Sequence, residues 1–104
     1  MDRFEYVNEL LPFYESLLTE RQQQIVKLYY YEDLSLSEIA EELKISRNGV
    51  HDTLKKVETI LAEYEDKLRL NAAYQKRIGL YEKLREHADE AGRDIIDELI
   101  KMED

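Results

Sequence analysis

Five side chains in one short stretch have the chemistry of nucleic-acid recognition. They are Arg47, Asn48, His51, Lys55 and Lys56, within Ser46-Arg47-Asn48-Gly49-Val50-His51-Asp52-Thr53-Leu54-Lys55-Lys56. An arginine guanidinium matches the major-groove acceptors of guanine with two parallel hydrogen bonds, and an asparagine amide matches adenine in the same way. Lysines hold phosphates without reading sequence. If the stretch is a helix with Val50 and Leu54 turned inward, the five residues share its outer side. Asp52 works against this reading, since a carboxylate near phosphate is repelled unless it accepts from a cytosine amino group or a neighbouring cation. The same pattern also fits a helix-turn-helix kept as scaffold, its polar groups simply solvated.

No other constellation points to catalysis or to a metal. His51 and His87 are far apart, the acids are spread along solvent-facing helical positions, and there is no Gly-rich phosphate loop. His51 and Asp52 are neighbours in sequence and so point to different parts of a helix, which does not make a ligand pair. Gln22, Gln23 and Gln24 could touch a phosphate backbone, but a neutral polar helix surface is the commoner explanation. The expectation is a non-enzyme with no cofactor and no metal.

The elements that would hold the five residues are read from the flanking sequence. Ser35-Leu36-Ser37-Glu38 is a capping box, in which the Ser35 hydroxyl accepts from the Glu38 N–H while the Glu38 carboxylate accepts from that of Ser35. Ile39, Ala40 and Leu43 then share one helical face, and Ile45 precedes Ser46, a residue favoured at N-caps. Two helices joined this closely cross steeply and need a small residue at the crossing. Ala40 and Val50, ten apart with Ile45 midway, have the spacing of DNA-reading helix-turn-helix units, including the last region of bacterial sigma factors. Lys44 stands at the turn position where such units usually have Gly, so the backbone there must go left-handed at some cost or turn differently.

Before this unit, Phe4, Val7, Leu10, Leu11, Tyr14, Leu17 and Leu18 return every three or four residues and define an amphipathic helix from Asp2 to Leu18, with Pro12 either interrupting it or opening its second half. Thr19-Glu20-Arg21-Gln22 is a second capping box, starting a helix with Ile25, Val26, Leu28 and Tyr29 inward that should end near Glu32-Asp33. From Ser46 no stop signal appears until about Leu70, a helix of about 36 Å. Val50, Leu54, Val57, Leu61, Tyr64 and Leu68 lie 4, 3, 4, 3 and 4 apart along it. The distal seam Val57, Leu61, Tyr64 and Leu68 is therefore expected to need a partner, either a second copy of the chain or its own C-terminal segment. In that segment Tyr74, Ile78, Tyr81, Leu84, Ala88 and Ala91 continue an apolar stripe, extended by Ile95, Leu99 and Met102, with Asn71-Ala72-Ala73 as a hinge. Gly79 and Gly92 each weaken a helix by about 1 kcal/mol relative to Ala, though small residues also permit close helix approach.

The chain has 104 residues and no Cys, with a formal charge of −9. Its length gives one small fold, burying only about 60 to 65% of its unfolded surface, so that partner surface can complete the core. Without Cys there is neither a disulfide framework nor a thiolate metal site. No apolar run approaches about 20 residues, and Met1-Asp2-Arg3-Phe4-Glu5 is not the start of a signal peptide, so a soluble cytoplasmic protein without membrane insertion is expected. The acidity is unfavourable to nucleic-acid binding, and its distribution matters more than its sum. Residues 1 to 34 carry 3 basic and 7 acidic side chains, residues 35 to 70 carry 6 and 8, and residues 71 to 104 carry 6 and 9. Any basic footprint must be one face of one helix.

Leu17-Leu18-Thr19, Leu28-Tyr29-Tyr30, Asp33, Ser35-Leu36, Glu38-Ile39-Ala40-Glu41-Glu42, Ser46-Arg47, Val50, Asp52, Lys55, Glu63-Tyr64-Glu65 and Lys67-Leu68 resemble the YlxM family of small bacterial helix-turn-helix proteins. The resemblance runs from about Leu17 to Leu84, with Gly49 and His51 standing where that pattern has Ala and an aromatic residue. The family is similar to sigma-factor region 4, and its gene typically neighbours that of the signal recognition particle GTPase. The resemblance implies a regulatory or accessory role in the signal recognition particle pathway, with a component of that particle as partner. The combined expectation is an all-α fold, a sigma region 4-like helix-turn-helix domain over residues 1–70 with a long last helix, and a C-terminal helical extension over 71–104 packing on it or on a partner. Two functions follow. Pairing as a homodimer through the seam is expected beside either, and one of the two is a regulator that binds DNA or RNA through Arg47, Asn48, His51, Lys55 and Lys56. The other is a helical interaction module, its helix-turn-helix vestigial, that binds a targeting component.

Overall fold

Both capping boxes start helices. Thr19 Oγ1 accepts from the Gln22 N–H at 3.2 Å and Gln22 Oε1 from the Thr19 N–H at 3.0 Å. Ser35 and Glu38 do the same at 3.1 and 2.9 Å. The computed structural model describes residues 2–103, and the helices among them are α1 (Arg3–Tyr14), α2 (Glu20–Val26), α3 (Leu36–Leu43), α4 (Arg47–Leu68), α5 (Leu70–His87) and α6 (Glu90–Lys101), with no strand among the described residues. The protein is all-α, as its sequence indicates.

Asp2 caps α1 by accepting from the Glu5 N–H at 2.8 Å, and the helix runs on through Pro12, which is exposed in its last turn. The missing proline N–H deprives only the Asn8 carbonyl one turn back, and a 3-10 turn at Glu15–Leu17 follows at once. After α2 the chain widens into a π turn at Lys27–Tyr31, where the Glu32 N–H donates to the Lys27 carbonyl five residues back at 3.0 Å. Asp33 then takes left-handed backbone at φ 61°, ending the helix close to where Glu32-Asp33 marks it in sequence.

The chain divides into two compact units between Leu68 and Arg69. The first contains two apolar clusters, and α4 contributes to both. Ile25, Leu28, Ile39 and Ala40 pack with Val50 and Leu54 of its first half. Val7, Leu10, Leu11, Tyr14, Leu18 and Val26 pack with Val57 and Leu61 of its second half. Each fully buried Leu or Val contributes roughly 1.5 to 3 kcal/mol relative to exposure.

This arrangement corrects the expected seam. Val57 and Leu61 have no exposed surface, because α1 lies along the distal half of α4 and covers them. Tyr64 is half-buried and stacks on Tyr14, with ring centroids 5.8 Å apart. Of the four residues only Leu68 stays open, at 52% exposure. An amphipathic helix early in the chain thus supplies the cover that the heptad spacing of α4 requires, and the spacing alone does not say where that cover comes from.

The second unit is the hairpin of α5 and α6. The break before it is Arg69, in left-handed conformation at φ 56°, whereas the expected hinge Asn71-Ala72-Ala73 lies inside α5. Asp89 starts α6 by accepting from the Gly92 N–H at 2.8 Å. Arg77 makes a two-pronged ion pair with Glu103 at 2.8 and 2.9 Å, Tyr81 donates to Glu103 at 3.0 Å, and Arg85 pairs with Asp97. These bonds fix which levels of the two helices meet. The inner stripe also differs from expectation. Tyr74, Ile78, Tyr81 and Ala88 are half-buried but Leu84 is 52% exposed, and on α6 the buried residue is Ile96, with Ile95 and Met102 outside at 59% and 79%. The break between Ala88 and Asp89 resets the helical phase, so a stripe counted straight through it arrives on the outer side.

Candidate nucleic-acid interface

The turn between α3 and α4 positions the five candidate residues. Lys44 takes φ 58° and ψ 45°, a left-handed conformation that costs a non-Gly residue about 1 to 2 kcal/mol. The turn compensates with hydrogen bonds, since the N–H groups of both Lys44 and Ile45 reach the Ala40 carbonyl, the latter at 3.0 Å. Ser46 Oγ then accepts from the Gly49 N–H at 2.9 Å and caps α4. Inside the angle so formed, Ala40 and Ile39 of α3 belong to one buried cluster with Val50 and Leu54 of α4, and Ile45 packs against it as the plug under the turn.

With Val50 and Leu54 fixed inward, Arg47, Asn48, His51, Lys55 and Lys56 are all exposed. Arg47, His51 and Lys55 fall in one row at intervals of four, and Asn48, Asp52 and Lys56 in the row beside it. Asp52 stands in the middle of its row, and its Oδ1 lies 3.7 Å from His51 Nδ1. Two hydroxyls on the helix bond its own backbone instead of facing a ligand, Thr53 to the Gly49 carbonyl at 2.9 Å and Thr59 to that of Lys55 at 3.2 Å.

The fold adds one cation that the local sequence does not suggest. An open groove runs beside α4, lined by Arg3 and Phe4 from α1, Tyr29 and Tyr30 from the π turn, and His51 and Lys55. Arg3 Nε pairs with Glu58 Oε1 at 3.0 Å, which neutralises the acid one turn beyond Lys55. Phe4 and Tyr30 lie 4.9 Å apart, and Tyr29 meets Tyr30 edge to face at 4.9 Å. Burial, with the Glu58 carboxylate nearby, pushes the Tyr30 phenol up to about 12, so it stays a neutral donor. Arg3 is more than forty positions from the recognition residues, and only the packing of α1 on α4 brings it there. Among the described residues no group of His, Cys, Asp and Glu side chains could hold a metal, and no helix is long and apolar enough to cross a membrane.

A family profile described as "UPF0122: Putative helix-turn-helix protein, YlxM / p13 like" matches residues 1–101. The chain is 46% identical to a UPF0122 protein of Halalkalibacterium halodurans, covering 86% of this chain and 82% of the relative. It is 43% identical to UPF0122 proteins of Bacillus thuringiensis and Bacillus mycoides, covering 93% of this chain and 94% of each.

Proposed function

This chain belongs to the UPF0122 family of YlxM/p13-like helix-turn-helix proteins, and from that premise we propose that it binds nucleic acid through the outer face of α4. The observation that carries the proposal is that Arg47, Asn48, His51, Lys55 and Lys56 are all exposed on a helix whose opposite face is locked onto α3 by a capped turn. Arg47 and Asn48, at the leading end, are the base readers. Lys55 and Lys56, with Arg3 beside them, hold phosphates. The gene neighbourhood that the YlxM resemblance carries supports a regulatory or accessory role in signal recognition particle targeting, in the cytoplasm and without catalysis. Genomic DNA fragments and the signal recognition particle RNA are therefore the ligands to try.

A mobility-shift titration at low salt tests this. The native protein should retard one of the two ligands, and Arg47→Ala with Lys55→Ala should abolish the shift. About three phosphate contacts give a salt dependence with a log–log slope of about −3 on DNA. No retardation of either ligand at low salt overturns the proposal.

A second reading is favoured by the charge of −9 and by Asp52 and Glu58 among the cations. In it the helical surface engages a protein component of the targeting machinery, and capture of that component survives nuclease and salt. Pairing of two copies of the chain would need a surface other than the α4 seam, since Val57 and Leu61 are inside the core.

A further inference from the structure

The hairpin of α5 and α6 carries an apolar face that its own packing leaves open. Tyr81 and Arg85 of α5 meet Glu103 and Asp97 of α6, so the inner line of α5 passes through Tyr81 and that of α6 through Ile96. Leu80 and Leu84 lie a quarter turn to one side of the α5 line. Ile95 and Met102 lie a quarter turn from the α6 line and, because the helices are antiparallel, on the same side of the hairpin. All four are more than half exposed. A segment of fewer than about 40 residues rarely holds a fold without disulfides, a metal or association, and here there is no Cys and Ile96 is the one buried apolar side chain among the described residues of this second unit.

We infer that this face pairs with the same face of a second copy, α5 of one chain lying antiparallel on α6 of the other, to form a four-helix bundle about a two-fold axis parallel to the helices. Charge selects this partner. α5 carries Lys76, Arg77, Lys83 and Arg85 against Glu82 and Glu86, whereas α6 carries Glu90, Asp94, Asp97 and Glu98 against Arg93 and Lys101. A positive helix therefore meets a negative one twice, while pairing α5 on α5 would set like charges together. Lys83 lies at the outer margin of the apolar face on α5 and Glu98 at its outer margin on α6. The Arg85–Asp97 pairing puts these two positions at the same height, so the two-fold brings Lys83 of each copy to Glu98 of the other. Leu80 stands level with Met102, and Ile95 lies about 4.5 Å along the axis from the level of Leu84. The footprint, two helices wide over the roughly 18 Å that α6 spans, is about 350 Å² before side-chain relief. That is under half of the ~800 Å² per partner of a standard specific interface, which makes the pairing weak and concentration-dependent.

Sedimentation equilibrium of the full chain, from about 1 to about 100 μM, tests the pairing. The native protein should pass from the 12.5 kDa of one chain toward twice that mass. Leu84→Glu should weaken association about 100-fold or more, with circular dichroism confirming unchanged helix content. Lys83→Glu should weaken it about tenfold, and adding Glu98→Lys should restore it to within about threefold of native. If Leu84→Glu fails to fold, this surface charge pair decides alone. A native chain still monomeric at the highest concentration overturns the inference, as does a dimer indifferent to these variants, or a double variant that stays weak. Binding of nucleic acid by Arg47 and Lys55 is read separately by mobility shift, so a monomer that retards nucleic acid rejects the pairing alone.

Discussion

The Tyr14 hydroxyl donates to Glu65 Oε1 at 2.6 Å, joining α1 to the distal end of α4 in a site where both side chains are buried. A carboxylate this far from water requires good donors, and a hydrogen bond to a charged group is worth more than one between neutral groups. Tyr14→Phe keeps the ring that stacks on Tyr64 and removes only the donor. It should lower the unfolding free energy by about 1 to 3 kcal/mol, read from urea denaturation. A midpoint equal to that of the native protein would show that the hydroxyl contributes nothing there.

Ala40→Leu tests the crossing of α3 and α4. Ala40 is 8% exposed and shares a cluster with Val50, which is completely buried, so the added carbons must displace packed neighbours. A cost of about 1 to 3 kcal/mol is expected, together with a lower melting temperature. An unchanged melting temperature would place the crossing elsewhere.

Two glycines in the second unit should respond differently to the same substitution. A methyl group at Gly79 meets nothing within 4 Å, so Gly79→Ala should raise stability by up to about 1 kcal/mol through helix propensity alone. At Gly92 the same methyl comes within 3.0 Å of Ala88 Cβ and 3.2 Å of Asp89 Oδ1, against the residue that caps α6. Gly92→Ala should give no such gain. Thermal melts followed at 222 nm compare the two, and equal shifts would contradict the helix-start geometry.

The cap of α3 should be sensitive to acid. The Ser35 backbone N–H, with the Ser35 hydroxyl second, holds the Glu38 carboxyl below its ordinary value of 4.5. Because the folded value is depressed, the stabilisation is fully present above 4.5 and is lost as pH falls through the lower folded value. The difference in melting temperature between native protein and Glu38→Gln, which keeps a capping acceptor without titrating, should vanish over that acidic window. A difference that stays constant with pH would rule out this linkage.

The capping boxes, the Ala40–Val50 crossing and the outward set from Arg47 to Lys56 were legible because each depends on residues within about ten positions of one another. Local chemistry decides them. The burial of Val57 and Leu61 was not legible, since their cover comes from α1, some fifty residues earlier, and an apolar seam has the same spacing whatever covers it. Arg3 escaped notice for the same reason. The stripe through Ile95 and Met102 was misplaced because counting in helical steps across Ala88 assumes a continuous helix, and the Asp89 cap restarts the count. The π turn at Lys27–Tyr31 has no residue signature in the stretch itself.

One helix, α4, forms a wall of both apolar clusters in the first unit. Cooperativity follows from this sharing. Neither cluster can melt while α4 remains folded against the other without stripping one side of a single continuous hydrogen-bonded rod, so the unit should unfold in one step. Amide exchange along α4 should then report one opening free energy from Val50 to Leu61. A lesion in α1, which touches no recognition residue except through the Arg3 groove, would still loosen the end that carries Arg47.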